Sequence, residues 1–311
     1  MSIVFMGTPE FAVASLQAVL DAGLDVTRVV TQPDRPRGRG RKLTASPVKD
    51  YALRAGIEVW QPGRIREPGF VDLLRELAPE VIVVVAFGQI LPRSILEIPR
   101  FGCINVHASL LPWFRGAAPI HRALIEGEET TGITTMYMDE GMDTGDMIIR
   151  APVSIGNDDT VGTLHDRLAA VGGVLLVRTL DLVFQGQAPR EPQDHEQATY
   201  APMLTGDDEV IRWNLPAEQI RNHVRGMDPW PGACARFSGE TVKVWRVETV
   251  PSVADESEPG MVLSIDPDYG IIVQAGKNCV VIKELQPAGG RRMPVDAFLR
   301  GRRLTPGTLL K

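Results

Sequence analysis

The apolar segment at positions 81–86 constrains the fold of this chain more than any other feature of its sequence. It contains four valines and one isoleucine before its final alanine, a pattern typical of a parallel strand that is buried on both faces. Strand and helix patterns alternate around it: residues 3–6 and 103–107 predict strands, and residues 9–22 predict a helix. The alternation predicts a doubly wound, Rossmann-like α/β domain.

The second part of the chain has a different organisation. Residues 185–202 are polar, contain three prolines and show no periodicity, which is the composition of a linker. Short strands separated by turns are then predicted at 233–237, 242–247, 261–265, 271–275 and 280–285. Five such strands predict a small OB-like barrel, an architecture often used to hold nucleic acids. We therefore predict a first domain at 1–188, a linker at 189–206 and a second domain at 207–311.

Composition excludes several classes of protein. Of 311 residues, 44% are hydrophobic and 23% are charged, which excludes a wholly disordered or collagen-like chain. The apolar run at 81–87 is far shorter than the roughly 20 residues that cross a bilayer. Three widely separated cysteines without a C-x-x-C pair argue against a disulfide framework and a thiolate zinc site. The N-terminus lacks the features of a signal peptide, so we expect a cytoplasmic protein.

The net charge of −6 argues against a nucleic-acid partner when taken alone, but the charge is unevenly distributed. Residues 35–42 contain five basic side chains and no acidic one. Residues 277–311 contain eight basic side chains and two acidic ones. The sequence therefore predicts two basic patches on an acidic protein.

Asn105 and His107 form the first candidate site. They lie two residues apart on a predicted strand, so their side chains leave the same face about 6.6 Å apart. A lone histidine on a strand is more often a core residue bonded to a backbone carbonyl. Asn105 favours a site instead, because two polar side chains on an apolar strand are costly to bury unless they are paired. Residues 109–116 then resemble a loop at the carboxyl end of the strand, where α/β sheets bind ligands.

The second candidate site is the acidic turn 138–146, which contains Asp139, Asp143 and Asp146. Such a composition also fits a solvated hairpin turn, and this alternative stays open on the segment alone. An aspartate beside a histidine would orient its ring and stabilise an imidazolium. The chain lacks a GxSxG elbow and a catalytic-cysteine signature. Asn, His and Asp without a nucleophile indicate direct transfer between two bound substrates, with a polarised carbonyl and an assisted proton removal.

Nucleotide-binding motifs are weak in this chain. Gly7 is not followed by further glycines at the required spacing, Gly38-Arg39-Gly40 lacks a third glycine, and there is no P-loop. The arginine-rich loop at 35–42 is either a solvated surface loop or a segment that becomes ordered on a phosphate backbone.

Motifs along the whole chain resemble the methionyl-tRNA formyltransferase family. In the first half these are residues 6–11 (MGTPEF), 32–36 (QPDRP), 46–49 (SPVK), 87–92 (FGQILP), 105–112 (NVHASLLP), 115–120 (RGAAPI) and 139–146 (DEGMDTGD). In the second half they are Trp213 and residues 229–233 (PWPGA), 242–245 (VKVW) and 285–289 (LQPAG).

The resemblance implies transfer of a formyl group from 10-formyltetrahydrofolate to the α-amino group of initiator methionyl-tRNA, without a metal. It implies a catalytic triad of Asn105, His107 and Asp143, in a formyltransferase domain followed by a tRNA-binding domain. The implied folate contacts are Phe87, Gly88, Gln89, Ile90, Leu91, Pro92, Ser109, Leu110, Leu111, Pro112 and Asp139. The implied tRNA contacts are Arg35, Arg37, Arg39, Arg41 and Lys42 near the acceptor end, and Arg300, Arg302 and Arg303 further along the stem. A monomer is expected.

Three alternatives remain open from the sequence. A formyltransferase acting on a small amine, a nucleotide sugar or glycinamide ribonucleotide, would share the triad but would have no use for two basic patches. A formyltetrahydrofolate hydrolase-like enzyme could share even the barrel. A nucleic-acid-binding module on an inactive fold would not bind folate, and the intact triad disfavours it.

Overall fold

In the computed structural model of the chain, the described residues are 1–37, 42–237, 239–252, 257–302 and 304–311. They form two compact units that interleave along the sequence. The first comprises residues 1–116, 130–154 and 165–201, and the second comprises residues 117–129, 155–164 and 202–311.

The first unit is built on a seven-stranded sheet with a small additional ribbon. Its strands are β1 (Ser2–Gly7), β2 (Asp25–Val30), β3 (Arg35–Arg37), β4 (Lys42–Thr44), β5 (Val59–Trp60), β6 (Val81–Val85), β7 (Cys103–His107), β8 (Thr130–Tyr137) and β9 (Met147–Ser154). The sheet order is β5-β2-β1-β6-β7-β8-β9, while β3 and β4 form a separate two-stranded sheet. Neighbours from β5 to β7 are parallel, and β8 and β9 continue antiparallel. The predicted Rossmann-like α/β fold is confirmed.

The helices are α1 (Glu10–Asp21), α2 (Pro47–Arg54), α3 (Pro68–Leu77), α4 (Arg93–Leu96), α5 (Pro119–Glu126), α6 (Val161–Phe184), α7 (Ala217–Met227) and α8 (Val295–Arg300). Local sequence explains where α2 begins. Ser46 caps α2 by accepting a hydrogen bond from the Lys49 N–H, and Pro47 supplies the preset backbone of a first helical turn. Among the described residues, no helix is both long and apolar enough to span a membrane.

The buried run at 81–85 has the predicted double-sided burial. All five residues of β6 are buried, and Ile82 and Val84 pack with Val4 and Met6 of β1 against the apolar face of α3. Burial on both faces is what a central parallel strand requires. The carboxyl ends of β1, β6 and β7 consequently lie side by side at one edge of the sheet.

The segment with a linker-like composition is hydrogen-bonded within the first unit over much of its length. Glu191 and Met147 exchange two backbone hydrogen bonds of 2.8 and 2.9 Å, and Arg115 pairs with Thr199 and Ala201 at 2.9 and 2.7 Å. Polar residues without periodicity fit a free linker and a segment bonded to irregular loops equally well, so composition alone did not separate the two. The first unit therefore extends to residue 201, while the predicted bounds of 1–188, 189–206 and 207–311 stay a prediction.

The second unit contains the predicted group of short strands. They are β10 (Ala233–Phe237), β11 (Glu240–Val250), β12 (Val262–Asp266), β13 (Gly270–Gln274) and β14 (Cys279–Pro287), with the two-residue β15 (Met293–Pro294) beside β14. The strands form an antiparallel sheet in the order β10-β11-β14-β13-β12. Alternate residues such as Val242 and Val244 join the core, which also takes up Ile220 and Val224 of α7. The predicted small antiparallel β domain is confirmed.

One polar cluster in the second unit makes its stability depend on pH. The Asp208 carboxylate accepts hydrogen bonds from Arg122 and from Thr205, and the Arg122 bond is the main reason that its pKa falls to about 2. His223 Nε2 lies 2.7 Å from the Asp208 carbonyl oxygen, and burial of the ring lowers the pKa of His223. His223 is therefore neutral in the fold under conditions where it would be charged in the unfolded chain.

We expect the free energy of unfolding to fall as pH is lowered below about 6.5, because the unfolded chain then binds a proton that folded His223 does not. The contribution is at most about 1.4 kcal/mol per pH unit. His223→Gln keeps a donor for the Asp208 carbonyl but does not titrate. Denaturant unfolding from pH 7.5 to 5 should therefore show a shallower decline for the variant. Equal slopes for the two proteins would contradict this account.

Candidate active site

Strand β7 presents Asn105 and His107 on one face. Both are buried, with 9% and 6% of their surface exposed. Val106 lies between them and points the other way, toward Gly172 of α6. This is the two-residue alternation expected of a strand. The polar pair therefore lies on the sheet face opposite α6.

Asp143 meets both side chains from the turn between β8 and β9. Its Oδ1 accepts a hydrogen bond from Asn105 Nδ2 at 3.3 Å, and its Oδ2 lies 3.6 Å from His107 Nδ1. Oδ2 also accepts from the Gly116 N–H at 2.8 Å. The structure thus brings Asn105, His107 and Asp143 together. The loop joins the antiparallel strands β8 and β9 and residues 139–142 are exposed, so it is a solvated hairpin turn that also directs one carboxylate toward β7.

The other ring nitrogen of His107 has a backbone partner. Nε2 lies 2.9 Å from the carbonyl oxygen of Phe114, which can only accept, so Nε2 carries a proton in this contact. Phe114 has a positive φ of 58°, and its N–H donates to Thr199 Oγ1 at 2.8 Å. The ring is therefore oriented at Nε2 by a backbone carbonyl, which leaves Nδ1 facing Asp143.

The shape of the acidic turn depends on Asp139. Its Oδ1 accepts from the Gly141 N–H at 3.0 Å and from Thr144 Oγ1 at 2.7 Å. Gly145 has no room for a side chain, because a Cβ there would lie 1.9 Å from the Tyr137 carbonyl oxygen. Asp143 itself has φ of +54°, a conformation that is uncommon outside glycine. The turn places one carboxylate toward β7 and uses another to hold its own backbone.

Residues 109–112 shape the chain between His107 and Phe114. Ser109 Oγ donates to the Trp113 carbonyl at 2.6 Å, and Thr134 Oγ1 donates to the Ser109 carbonyl at 2.7 Å while accepting from the Leu111 N–H at 3.0 Å. Ser109, Leu111 and Pro112 are buried and Leu110 is half-buried, whereas Trp113 is exposed. The first four therefore determine the path of the loop, and Trp113 offers the accessible surface.

The loop at 87–92 follows the carboxyl end of β6, next to β7. Phe87 and Leu91 are buried and Pro92 is half-buried, and Gln89 Oε1 accepts from the Ile65 N–H at 2.9 Å. Gly88 has a positive φ of 86°, and Ile90 is 75% exposed. The loop thus has a fixed base and an exposed apolar tip.

The predicted basic residues have different surroundings. Arg35 Nη2 donates to Gln32 Oε1 at 3.3 Å, and Gln32 Nε2 donates in turn to the Phe87 carbonyl at 3.2 Å, which links the arginine-rich loop to the 87–92 loop. Arg300 pairs with Asp296 at 2.6 Å, and Arg302 pairs with Glu240. Arg39, Arg41 and Arg303 lie outside the described residues, as do the side chains of Arg37 and Lys42.

Comparison with known proteins identifies the family to which the chain belongs. The profile described as "Formyl transferase" matches residues 1–180, and "Formyl transferase, C-terminal domain" matches residues 203–303. A methionyl-tRNA formyltransferase of Desulforamulus reducens is 54% identical over 311 residues, covering all of this chain and 98% of that protein. The chain belongs to the methionyl-tRNA formyltransferase family. Another of that name, from Geobacter sulfurreducens, is 50% identical over all of this chain and 96% of its own length. The predicted family, and with it a formyl-transferring enzyme, is confirmed.

Solved structures support the fold. An N-formyltransferase of Helicobacter canadensis, solved with folinic acid and dTDP-3-aminofucose, has a TM-score of 0.66 at 17% identity, covering 90% of this chain and 98% of that one. Glycinamide ribonucleotide transformylase 1 of Symbiobacterium toebii has a TM-score of 0.51 at 22% identity, over 62% of this chain and 93% of that one. At these identities the likeness extends to the architecture alone.

Sequence reasoning missed the residues that hold the triad in place. Phe114 and Gly116 contact it through backbone atoms, and Thr199 holds Phe114 through a hydroxyl that accepts from the Phe114 N–H. Their residue types carry no signal for such a role. The positive φ of Phe114 is likewise invisible in the sequence, because phenylalanine rarely adopts it.

Proposed function

We propose that Asn105, His107 and Asp143 carry out transfer of a formyl group from 10-formyltetrahydrofolate to the α-amino group of methionyl-tRNA. The observation that supports this most is their convergence: an amide donor, an imidazole and a carboxylate meet within hydrogen-bond or ion-pair distance on one face of β7. Within the described part of the chain, no serine or cysteine takes part in this group of contacts, which suits direct transfer. The full-length identity to proteins named methionyl-tRNA formyltransferase supports the choice of acceptor.

Each of the three side chains has a distinct role in this proposal. Asn105 Nδ2 and protonated His107 Nδ1 donate to the formyl oxygen as it gains negative charge, and such donors stabilise the transition state. The Phe114 carbonyl holds Nε2, and Nδ1, which lies 3.6 Å from Asp143 Oδ2 and beyond hydrogen-bond distance of it, is the nitrogen left for the formyl oxygen. Asp143 orients His107 and accepts a proton from the attacking amine.

The balance of the reaction is simple. The folate supplies an activated formyl carbon. A bond forms from the α-amino nitrogen to that carbon, and the bond from the carbon to N10 breaks. One amine proton is released and N10 gains a proton.

The surroundings of the triad fit a folate donor, because they combine N–H donors and a carboxylate with exposed apolar side chains. Ile90, Trp113 and Met142 are 75%, 44% and 58% exposed on the loops that follow β6, β7 and β8. We place the folate against the 87–92 loop and the 139–143 turn.

The acceptor end of the tRNA is assigned to the loop at 35–42, which follows β2 of the same sheet and is linked through Gln32 to the 87–92 loop. Arg300, Arg302 and Arg303 are assigned to the stem. Translation initiation in the cytoplasm by a monomer is part of the same proposal.

The decisive experiment supplies 10-formyltetrahydrofolate labelled in the formyl group and one of three acceptors. We expect label in methionyl-tRNA, with little transfer to a dTDP-amino sugar or glycinamide ribonucleotide and little release as formate. Preferred transfer to a small amine, or hydrolysis alone, would establish the corresponding alternative. Folate binding without any transfer would contradict the mechanism.

The two groups of basic residues should behave differently when neutralised. Removing one phosphate contact reduces the slope of log affinity against log salt by roughly 0.9 on a duplex, so Arg300→Ala with Arg302→Ala should mainly weaken tRNA binding. The double variant Arg39→Ala, Arg41→Ala should weaken tRNA binding and in addition lower kcat at saturating tRNA, because loss of the loop contacts would misplace the α-amino group.

Turnover and KM for initiator and elongator methionyl-tRNA, measured across a salt series, test this difference. Arg75→Ala is the matched control, since Arg75 is an exposed, ion-paired arginine on α3. Loop variants with unchanged kcat and unchanged preference between the two tRNAs would identify the loop as a solvated surface element.

A further inference from the structure

A buried guanidinium lies one residue from the Asp143 contact at Gly116. Arg115 is 1% exposed, and among the described residues no carboxylate lies within ion-pair distance of it. Its Nε and Nη2 donate to Gln193 Oε1 at 3.1 and 2.7 Å, and Nη2 also lies 3.2 Å from His195 Nδ1. A side-chain amide therefore takes the place that an acid occupies beside most buried arginines.

The same amide reaches the turn that carries Asp143. Gln193 Nε2 donates to the carbonyl oxygens of Asp143 and Gly145 at 2.9 and 2.8 Å, and the side chain is buried, with 6% of the residue exposed. Both protons of the NH₂ group and the carbonyl oxygen are thus used. Gln193 connects the buried Arg115 to the two backbone groups on either side of Thr144.

The conformation of Asp143 makes this connection consequential. A non-glycine residue at φ of +54° lies in the strained left-handed region and persists where its surroundings hold it. The Gly116 N–H fixes the carboxylate and Gln193 fixes the carbonyl of the same residue. The backbone of Arg115, the residue before Gly116, is itself hydrogen-bonded to Thr199 and Ala201.

We propose that Gln193 is a positioning residue for the formyl transfer, acting through the backbone of Asp143 and Gly145. This inference rests on the proposed function of Asp143. It assigns a role in the reaction to the segment at 191–201, whose composition is that of a linker. Loss of the two Nε2 hydrogen bonds lets the turn relax and moves the Asp143 carboxylate away from His107, while the substrate-binding loops keep their shape.

Two substitutions separate this role from simple neutralisation of Arg115. Gln193→Glu offers Arg115 a carboxylate and so preserves, or strengthens, its buried partner. It cannot donate to the Asp143 and Gly145 carbonyls, and it places negative charge against them. Gln193→Met removes both kinds of bond at similar volume. The same two changes at exposed Gln187 serve as matched controls.

We expect both Gln193 variants to lower kcat by 10-fold to 100-fold, with KM for each substrate within about twofold of wild type, because displacement of a catalytic group by about 1 Å can cost that much. Gln193→Glu, which keeps a partner for Arg115, should unfold at a higher temperature than Gln193→Met and stay folded at the assay temperature, whereas the Gln187 variants should retain both kcat and the unfolding midpoint. A Gln193→Glu protein with kcat within twofold of wild type would overturn the proposal, and so would a loss of kcat fully explained by a smaller folded fraction. Wild-type protein that fails to formylate methionyl-tRNA would instead contradict the proposed function.

Discussion

Replacing Asn105 or His107 with alanine should lower kcat by roughly 100-fold to 1,000-fold, because each change removes a donor to charge that develops during the reaction. Neither side chain contributes to the apolar core, and the opposite face of β7 keeps its packing through Val106. We therefore expect a folded protein that binds folate with nearly unchanged affinity. KM for methionyl-tRNA should change little.

Steady-state kinetics at saturating tRNA, together with a folate-binding titration, test both variants. Asn157→Ala is the control for Asn105→Ala, since Asn157 is an exposed asparagine that accepts a hydrogen bond from Arg221 through its backbone carbonyl. Wild-type turnover in either Asn105→Ala or His107→Ala would remove that residue from the mechanism. Loss of folate affinity equal to the loss of kcat would instead make it a binding residue.

The second large effect is expected for Asp143→Asn. The carboxylate accepts from two N–H groups on different oxygens, Asn105 Nδ2 on Oδ1 and the Gly116 N–H on Oδ2. An amide can accept at only one of these positions and would turn its NH₂ group toward the other donor. The variant also loses the negative charge beside His107 and the group that accepts the amine proton. We expect kcat to fall by roughly 100-fold or more, about 2.7 kcal/mol of transition-state stabilisation.

Asp146→Asn is the matched control, because Asp146 lies on the same turn but pairs with Arg190 at 3.6 Å rather than with the triad. Turnover and thermal unfolding should be compared for the two variants. If both variants lowered kcat equally, the total negative charge of the turn would explain the effect. The proposal that Asp143 acts specifically on His107 would then be wrong.

Periodicity carried most of the information about the fold. The run at 81–86 predicted a doubly buried parallel strand, and β6 is one over residues 81–85, while Ala86 lies beyond its end and is exposed. The five strands predicted in the second half all exist, with ends that differ by at most three residues from the prediction. Local patterns succeed here because burial on one face or on both repeats every two residues along a strand.

The same periodicity predicted that Asn105 and His107 share a face, since that relation lies within one strand. It could not choose among Asp139, Asp143 and Asp146, which occupy one short turn and have the same chemistry. The family resemblance implied Asp143, and the fold shows how the three differ: Asp139 bonds within its own turn, Asp146 faces Arg190, and Asp143 meets β7.

The sequence by itself therefore determined the α/β and β architectures, the family and the two polar residues of β7, because local pattern and motif identity suffice for each. Only the tertiary structure decided what holds the site: the Phe114 carbonyl on His107, the Gly116 N–H on Asp143 and the Gln193 amide behind it. Gln193 is 50 residues from Asp143, and each of the three contacts uses a backbone N–H or carbonyl group. Contacts of this kind leave no trace in residue type or spacing, since they arise from where distant segments are brought by packing.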